Sequence, residues 1–377
     1  MKPGSTDESI NRMSPERIPM DQENRRPVSV AHAWPALGIK GRIRVRPDHF
    51  QVREELGFEP DGEGEHCLVL VRKTGCNTQW VAEQLAIAGS VPGRDIGYSG
   101  LKDRHAVTEQ WFSVPAKAMQ RLEDTDLSGA GVELLCSARH RRKLRRGVHQ
   151  RNHFRIIVSG LTGAAEWRAQ LESRLSAIAE HGVPNYFGQQ RFGRHGRNLE
   201  LVRRLAAGQR MGRRDRGFAL SSARSQIFNA VLSSRVENGS WNRLLEGDVA
   251  ALHGSRSVFP VAQLDETLEQ RIRVHDIHPS GPMWGVGELT TGGTVAELEN
   301  SVASGYPECA AVAIAAGIHQ ERRPLRLPVG NLAWEVTGDA VLVCFDLLKG
   351  GFATTVLSEF ADLSDASSDQ DFLRSNT

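Results

Sequence analysis

Cysteine is scarce and scattered: Cys67, Cys76, Cys136, Cys309 and Cys344 form an odd set with no C-x-x-C. That excludes a disulfide framework and zinc-finger spacing, and a reducing, cytoplasmic compartment is expected. Long hydrophobic runs are also missing. The longest, Ala310 to Ile318, falls far short of the ~20 residues of a membrane span, so no membrane partner is expected. The first twenty residues, MKPGSTDESINRMSPERIPM, hold no apolar signal core. Net charge is only +2, from 47 Lys+Arg against 45 Asp+Glu, which offers no global case for a polyanion binder. Walker A, G-x-G-x-x-G, G-x-S-x-G, H-E-x-x-H and EF-hand patterns are all absent, so nothing points to a nucleotide, an acyl-transfer site or a metal.

What is present is an ordinary globular composition. Of 377 residues, 40% are apolar and 24% charged, enough for two or three domains. Residues 1–35 and 364–377 are polar and aperiodic, and read as a disordered leader and tail. Alternation at Ile43, Val45, Phe50 and Val52, and again from His66 to Val71, predicts paired strands. Glu59 to His66 between them reads as a hairpin turn with an acidic rim. Asn77 or Thr78 is a candidate cap for a helix ending at Gly89. Trp167, Leu171, Leu175 and Ile178 mark a helix stopped by Gly182 and Pro184. Further helices are predicted at 197–207 and 221–237, and Thr294 to Glu297 resembles a capping box. Strands and helices without βαβ alternation predict an α+β fold with a mixed, largely antiparallel sheet.

Charge is unevenly spread. From Arg139 to Arg155 there are seven arginines, one lysine and no acid; from Arg191 to Arg216, nine arginines against Glu200 and Asp215. The compensating acids fall elsewhere, at 54–65, 237–300 and the tail. Such runs are either solvated faces or phosphate-binding surfaces. Arg141, Arg142, Lys143, Arg145, Arg191 and Arg194 are the candidates for contact with a nucleic-acid backbone.

Two segments carry chemical potential. In Gly97-Tyr-Ser-Gly-Leu-Lys-Asp-Arg-His105, Gly97 and Gly100 permit a tight turn that holds Asp103 between Lys102 and Arg104. That carboxylate is either a nucleophile or part of a solvated charged turn. In Val183-Pro-Asn-Tyr-Phe-Gly-Gln-Gln-Arg-Phe-Gly193, Asn185 and Phe187 suit reading and stacking on an extruded base. The alternative is a turn anchored by buried phenylalanines.

Together, GYSGLKDRHAVTEQWFSV and VPNYFGQQRFG resemble the signature segments of the tRNA pseudouridine synthase D (TruD) family. FQVREELGFEPDGEGEH at 50–66, K-x-G-C-N-T at 73–78, ARHRRKLR at 138–145, LSSARSQIFN at 220–229 and GGFATTVLSEF near the end extend the likeness over about 41–360. The resemblance implies an isomerase that converts uridine in tRNA, typically uridine-13 of the D arm, to pseudouridine without metal, redox change or cosubstrate. It makes Asp103 the catalytic aspartate, and it places Asn185, Phe187, Phe50 and Phe352 around the flipped nucleotide. Arg44 stands where the family generally has lysine, as a phosphate or aspartate partner. Arg151-Asn-His-Phe154 replaces the usual Gly-Asn-x-Phe, and Leu348-Lys-Gly-Gly351 replaces Pro-x-Gly-Ser.

The implied architecture is a catalytic domain of residues 36–210 and 327–363, with a family-specific α/β domain inserted at 211–326. The expected partner is tRNA, bound in a cleft between the two domains. No protein partner is expected and the chain is expected to be a monomer. The alternatives are a non-catalytic tRNA-binding protein on the same scaffold, or a different RNA enzyme; a zinc deaminase lacks its H-x-E…P-C-x-x-C signature here.

Overall fold

In the computed structural model, which describes residues 27–193 and 196–367, the first half of the chain builds most of one sheet. Its strands there are β1 (Lys40–Ile43), β2 (Phe50–Glu55), β3 (His66–Thr74), β4 (Gly97–Tyr98), β5 (Val107–Pro115), β6 (Val132–His140) and β7 (Arg151–Thr162). Helices α1 (Thr78–Ala88) and α2 (Met119–Glu123) lie between them. Then come α3 (Trp167–His181), β8 (Val183–Pro184), α4 (Arg197–Ala206) and α5 (Arg213–Glu237). A second, antiparallel sheet collects β9 (Val249–Leu252), β10 (Val258–Pro260), β11 (Ile277–Met283) and β12 (Glu321–Pro324). Helices α6 (Glu266–Arg273), α7 (Gly293–Ser304) and α8 (Pro307–Ala315) accompany it. β13 (Arg326–Leu327) pairs with β8, and the chain re-enters the first sheet through β14 (Gly330–Thr337), β15 (Ala340–Leu348), α9 (Ala353–Ser358) and β16 (Asp362–Asp365).

The main sheet runs β14-β15-β7-β2-β5-β3-β6, with β1 and β16 joined at β7 and β4 on β5. It is mixed: β2 pairs with β5, and β1 with β16, in parallel, and the other pairs are antiparallel. The class is α+β, as expected. The stripe of α3 packs as predicted, with Leu171, Leu175 and Ile178 fully buried against Ile156, Val158, Val341 and Val343. Each such side chain contributes about 1.5–3 kcal/mol. A second core joins α4, α5 and α8 through Leu199, Val202, Ile227, Phe228, Val231 and Val312.

Several expectations are corrected. β2 and β3 are not a hairpin, because β5 lies between them and bonds to both; local alternation cannot register a strand arriving from fifty residues away. Thr294 lies inside α7, whose N-cap is Gly292 without a side-chain cap, so the capping box is not formed. Residues 27–35 of the leader are packed: the Val28 N–H donates to Gln226, the Ala31 N–H to Ser233 and the Ala33 N–H to Glu359. The tail is paired as far as Asp365, opposite Ile43. The core of α4, α5 and α8 also takes in Tyr186, Phe187 and Phe192. Helix α5 begins at Arg213, eight residues before the predicted start.

Candidate active site

The turn between β4 and β5 is held from several sides. Gly97 is required there, since a Cβ would lie 2.4 Å from Ser113 Oγ and 2.6 Å from the Leu144 carbonyl. Gln110 Nε2 donates to the Gly100 carbonyl at 2.6 Å. Thr78 does not cap α1; its hydroxyl donates to Gln110 Oε1 (3.0 Å) and accepts the Lys102 N–H (2.9 Å). Lys73, fully buried on β3, donates from Nζ to the Asp103 carbonyl (2.8 Å) and the Cys76 carbonyl (2.7 Å). Burial pushes its ammonium down to about 8, against the pull of Cys76 and Asp103. Lys102 Nζ meets Glu54 Oε2 at 2.5 Å, with the Glu54 side chain wholly inaccessible. Burial raises the Glu54 carboxyl, opposed by the Lys102 ammonium and the Trp111 N–H. Burial, with Lys102 and Lys349 nearby, holds His149 down to about 4. It is neutral near pH 7; its Nδ1 is hydrogen-bonded to the Ser99 hydroxyl (2.6 Å), which also accepts the His149 backbone N–H (2.7 Å).

The Asp103 carboxylate itself remains 39% exposed. Arg44, almost completely buried, splits its guanidinium between two acids: Nη2 to Asp103 Oδ2 and Nη1 to Asp365 Oδ2, both at 2.7 Å. The same group lies 4.1 Å from the centroid of the Phe50 ring. Arg44 adopts a left-handed backbone (φ 54°), uncommon for a residue with a side chain. Arg44, Phe50 and Asp103 are thus brought into one contact group.

Asn185, Phe187 and Phe352 form another. Asn185 Oδ1 accepts from Arg323 Nη2 (2.6 Å), and its Nδ2 donates to the Pro324 carbonyl (2.8 Å). Asn229 clamps the Phe187 backbone, accepting its N–H and donating to its carbonyl, both at 2.9 Å. The Phe187 ring meets Phe228 and Phe352 edge-on at 5.4 and 6.4 Å, with the Arg323 guanidinium 4.2 Å and that of Arg191 5.0 Å from its centroid. Burial, with Arg191 alongside, lowers Arg323 to about 9. Helix α9 links the two groups. Phe352 precedes it and packs on the Phe187 core, while Ala353, Val356 and Leu357 belong to the core that holds Phe50.

A family model described as tRNA pseudouridine synthase D (TruD) matches residues 31–211 and 205–360. The chain belongs to the TruD family. It is 45% identical over 326 residues to a tRNA pseudouridine synthase D of Methylococcus capsulatus, covering 86% of this chain and 91% of that protein. With the Aeromonas hydrophila protein of the same name it shares 43% over 340 residues, 89% and 95% of the two chains. A Methanosarcina mazei crystal structure described as a TruD protein matches the fold with a TM-score of 0.72 at 21% identity, over 90% of this chain and 97% of that one.

The remaining candidates of this TruD-family chain are dispersed. Arg141 pairs with Glu63, and its N–H donates to Asp61. Lys143 Nζ donates to the Arg94 carbonyl. Arg142 and Arg145 are exposed. Arg191 is turned inward, bonded to Ser221 at 2.7 Å and lowered by burial. Arg194 lies outside the described residues. The acids of the 54–65 segment, remote in sequence, therefore meet the first basic tract in space. His153, within that tract, is likewise shared between Glu55 (2.7 Å) and Asp346 (2.5 Å).

Sequence reasoning gave no role to Lys73, Glu54, Asp365 or Arg323. For the first two a signal existed: Lys73 is in phase with buried Cys67, Val69 and Val71, and Glu54 with Phe50 and Val52. A charge in phase with the core face of a strand demands a partner. Asp365 sat in an apparent tail, and Arg323 has no local mark. Among the described residues no group of three or more His, Cys, Asp or Glu could hold a metal.

Proposed function

We propose that this chain is a tRNA pseudouridine synthase, an isomerase acting on uridine-13 of the D arm, with Asp103 as its catalytic carboxylate. The observation that carries the reading is an exposed carboxylate on a turn whose backbone is immobilised by Lys73, Lys102, Thr78 and Gln110 and whose oxygen is aimed by buried Arg44. The reaction breaks the N1–C1′ bond, turns the uracil, joins C5 to C1′ and releases the C5 proton to water while N1 gains one. No atoms are gained or lost, so the chemistry calls for positioning and charge stabilisation.

Asp103 assists glycosidic cleavage by engaging the nucleotide. Phe50, Phe187 and Phe352 are read as the aromatic surfaces beside the flipped nucleotide; stacking is worth about 1–3 kcal/mol per base and leaves in-plane rotation free. Arg323 and the Pro324 carbonyl fix the amide plane of Asn185, which is read as a uracil contact. Residues 36–210 with 327–363 are read as the catalytic domain and 211–326 as the insert, with tRNA between them.

The test uses tRNA tritiated at uridine C5, which loses label to water as pseudouridine forms, followed by mapping of the modified position. Wild-type protein is expected to release tritium, and Asp103→Asn to bind tRNA without releasing it. Absence of wild-type release, or undiminished release by Asp103→Asn, overturns the assignment. Tight tRNA binding without product identifies a binding protein instead.

A further inference from the structure

The two basic tracts look alike in sequence but differ in space. In the first, Arg141 and Arg151 pair with Glu63 and Glu55, and Lys143 and Arg146 are bonded to the Arg94 carbonyl and the Tyr98 hydroxyl. In the second, the elbow between α4 and α5 forms ion pairs only through Arg203 and Glu200, among the described residues. Arg197, Arg210, Arg213, Arg214 and Arg216 are exposed and make no ion pair among those residues.

The elbow is also built against its own helix. The first buried residue of α5 is Ala219, and Arg213 to Phe218 are all exposed. The N-cap of the helix, Gly212, supplies no side-chain acceptor. Three arginines in the first four positions face the positive end of the helix dipole, with only Asp215 to oppose them. Helix α6 shows the favourable order, with Glu266 and Glu269 in its first turn and Arg271 and Arg273 in its last. Phe218 stays 43% exposed, and the Arg214 guanidinium lies 5.5 Å from the centroid of its ring.

We infer that this elbow is an RNA docking surface, taking the phosphate backbone of the tRNA at a place separate from the Asp103 turn. The inference rests on the reading of the substrate as tRNA. A polyanion supplies the counter-charge that this arginine-bearing helix end lacks, and Phe218 offers a stacking face beside it. The surface would contribute to affinity and salt dependence, not to the chemical step.

The experiment compares wild type with the triple variant Arg213→Gln/Arg214→Gln/Arg216→Gln and with Arg142→Gln/Arg145→Gln, measuring tRNA Kd by filter binding across a salt series. The elbow variant is expected to bind at least tenfold more weakly. The slope of log affinity against log salt should flatten by roughly 0.9 for each phosphate no longer neutralised. KM should rise in step with Kd, and the thermal midpoint should hold or rise as like charges leave the helix end. An unchanged Kd and slope, a larger loss in the Arg142/Arg145 variant, or no tRNA binding by wild type overturns the inference. Because binding is measured without turnover, missing tritium release alongside an elbow effect would overturn only the isomerase reading. Normal release with a neutral elbow would overturn only the docking surface.

Discussion

Replacing Lys102 with methionine tests the immobilised turn most directly. Lys102 and Glu54 have side chains 6% and 0% exposed and approach to 2.5 Å. Without the ammonium, Glu54 keeps, among the described residues, the Trp111 N–H at 3.3 Å and the neutral His149 ring at 4.0 Å. Breaking one side of a buried pair typically costs about 3–5 kcal/mol, because the remaining charge is stranded. Lys102→Met is therefore expected to lose that much at pH 8, read from guanidinium unfolding followed by tryptophan fluorescence.

The loss should depend on pH. Burial already raises the Glu54 carboxyl above its ordinary 4.5, and Lys102 opposes the rise; removing Lys102 raises it further. The folded variant then binds more protons than the unfolded chain, so its stability increases as pH falls through the raised value toward 4.5. At pH 5 the deficit should shrink, and Glu54→Gln/Lys102→Met should be more stable than Lys102→Met at pH 8. A pH 8 deficit under about 1 kcal/mol, the range of exposed pairs, would refute the reasoning, as would an equal deficit at pH 5.

Lys73→Met removes the donor to the Asp103 and Cys76 carbonyls, and should lower kcat in the tritium-release assay more than it raises KM. Burial holds the Lys73 ammonium down to about 8, so the unfolded chain binds the extra proton, and wild type should gain stability over the variant as pH rises from about 8 toward 10.5. Arg44→Met should cost roughly a hundredfold in kcat, and Arg44→Lys should recover part of it, since an ammonium can reach Asp103 but cannot fork to Asp365 as well. Gly285→Ala places a Cβ 2.1 Å from the Ile318 carbonyl, and should lower the unfolding free energy by about 1–3 kcal/mol.

The legible parts of this protein are those set within a few residues. The α3 stripe, the β3 alternation and the glycine-bounded Asp103 turn each follow from local period or backbone freedom, and the motif order marks the family. Of the contact group of Arg44, Phe50 and Asp103, the resemblance offered Arg44 as a phosphate or aspartate partner, and the contact of its guanidinium with Phe50 was not anticipated. The electrostatics were misread where segments meet at long range: the acidic 59–65 loop looked remote from the basic tract, yet Asp61 and Glu63 bond to Arg141. The α5 extension was missed because Arg213 to Phe218 carry no buried stripe.

By itself, the sequence determined the family, the α+β class and the identity of the candidate aspartate, because these depend on residue type and order. Only the tertiary structure decided that β5 enters between β2 and β3, that Arg44 is shared by Asp103 and Asp365, and that Arg323 rather than solvent meets Asn185. It also decided which arginines of the two basic tracts find an acid and which stay exposed. Each is a pairing between chain segments far apart in sequence, fixed by the requirement that buried charges and backbone groups find partners.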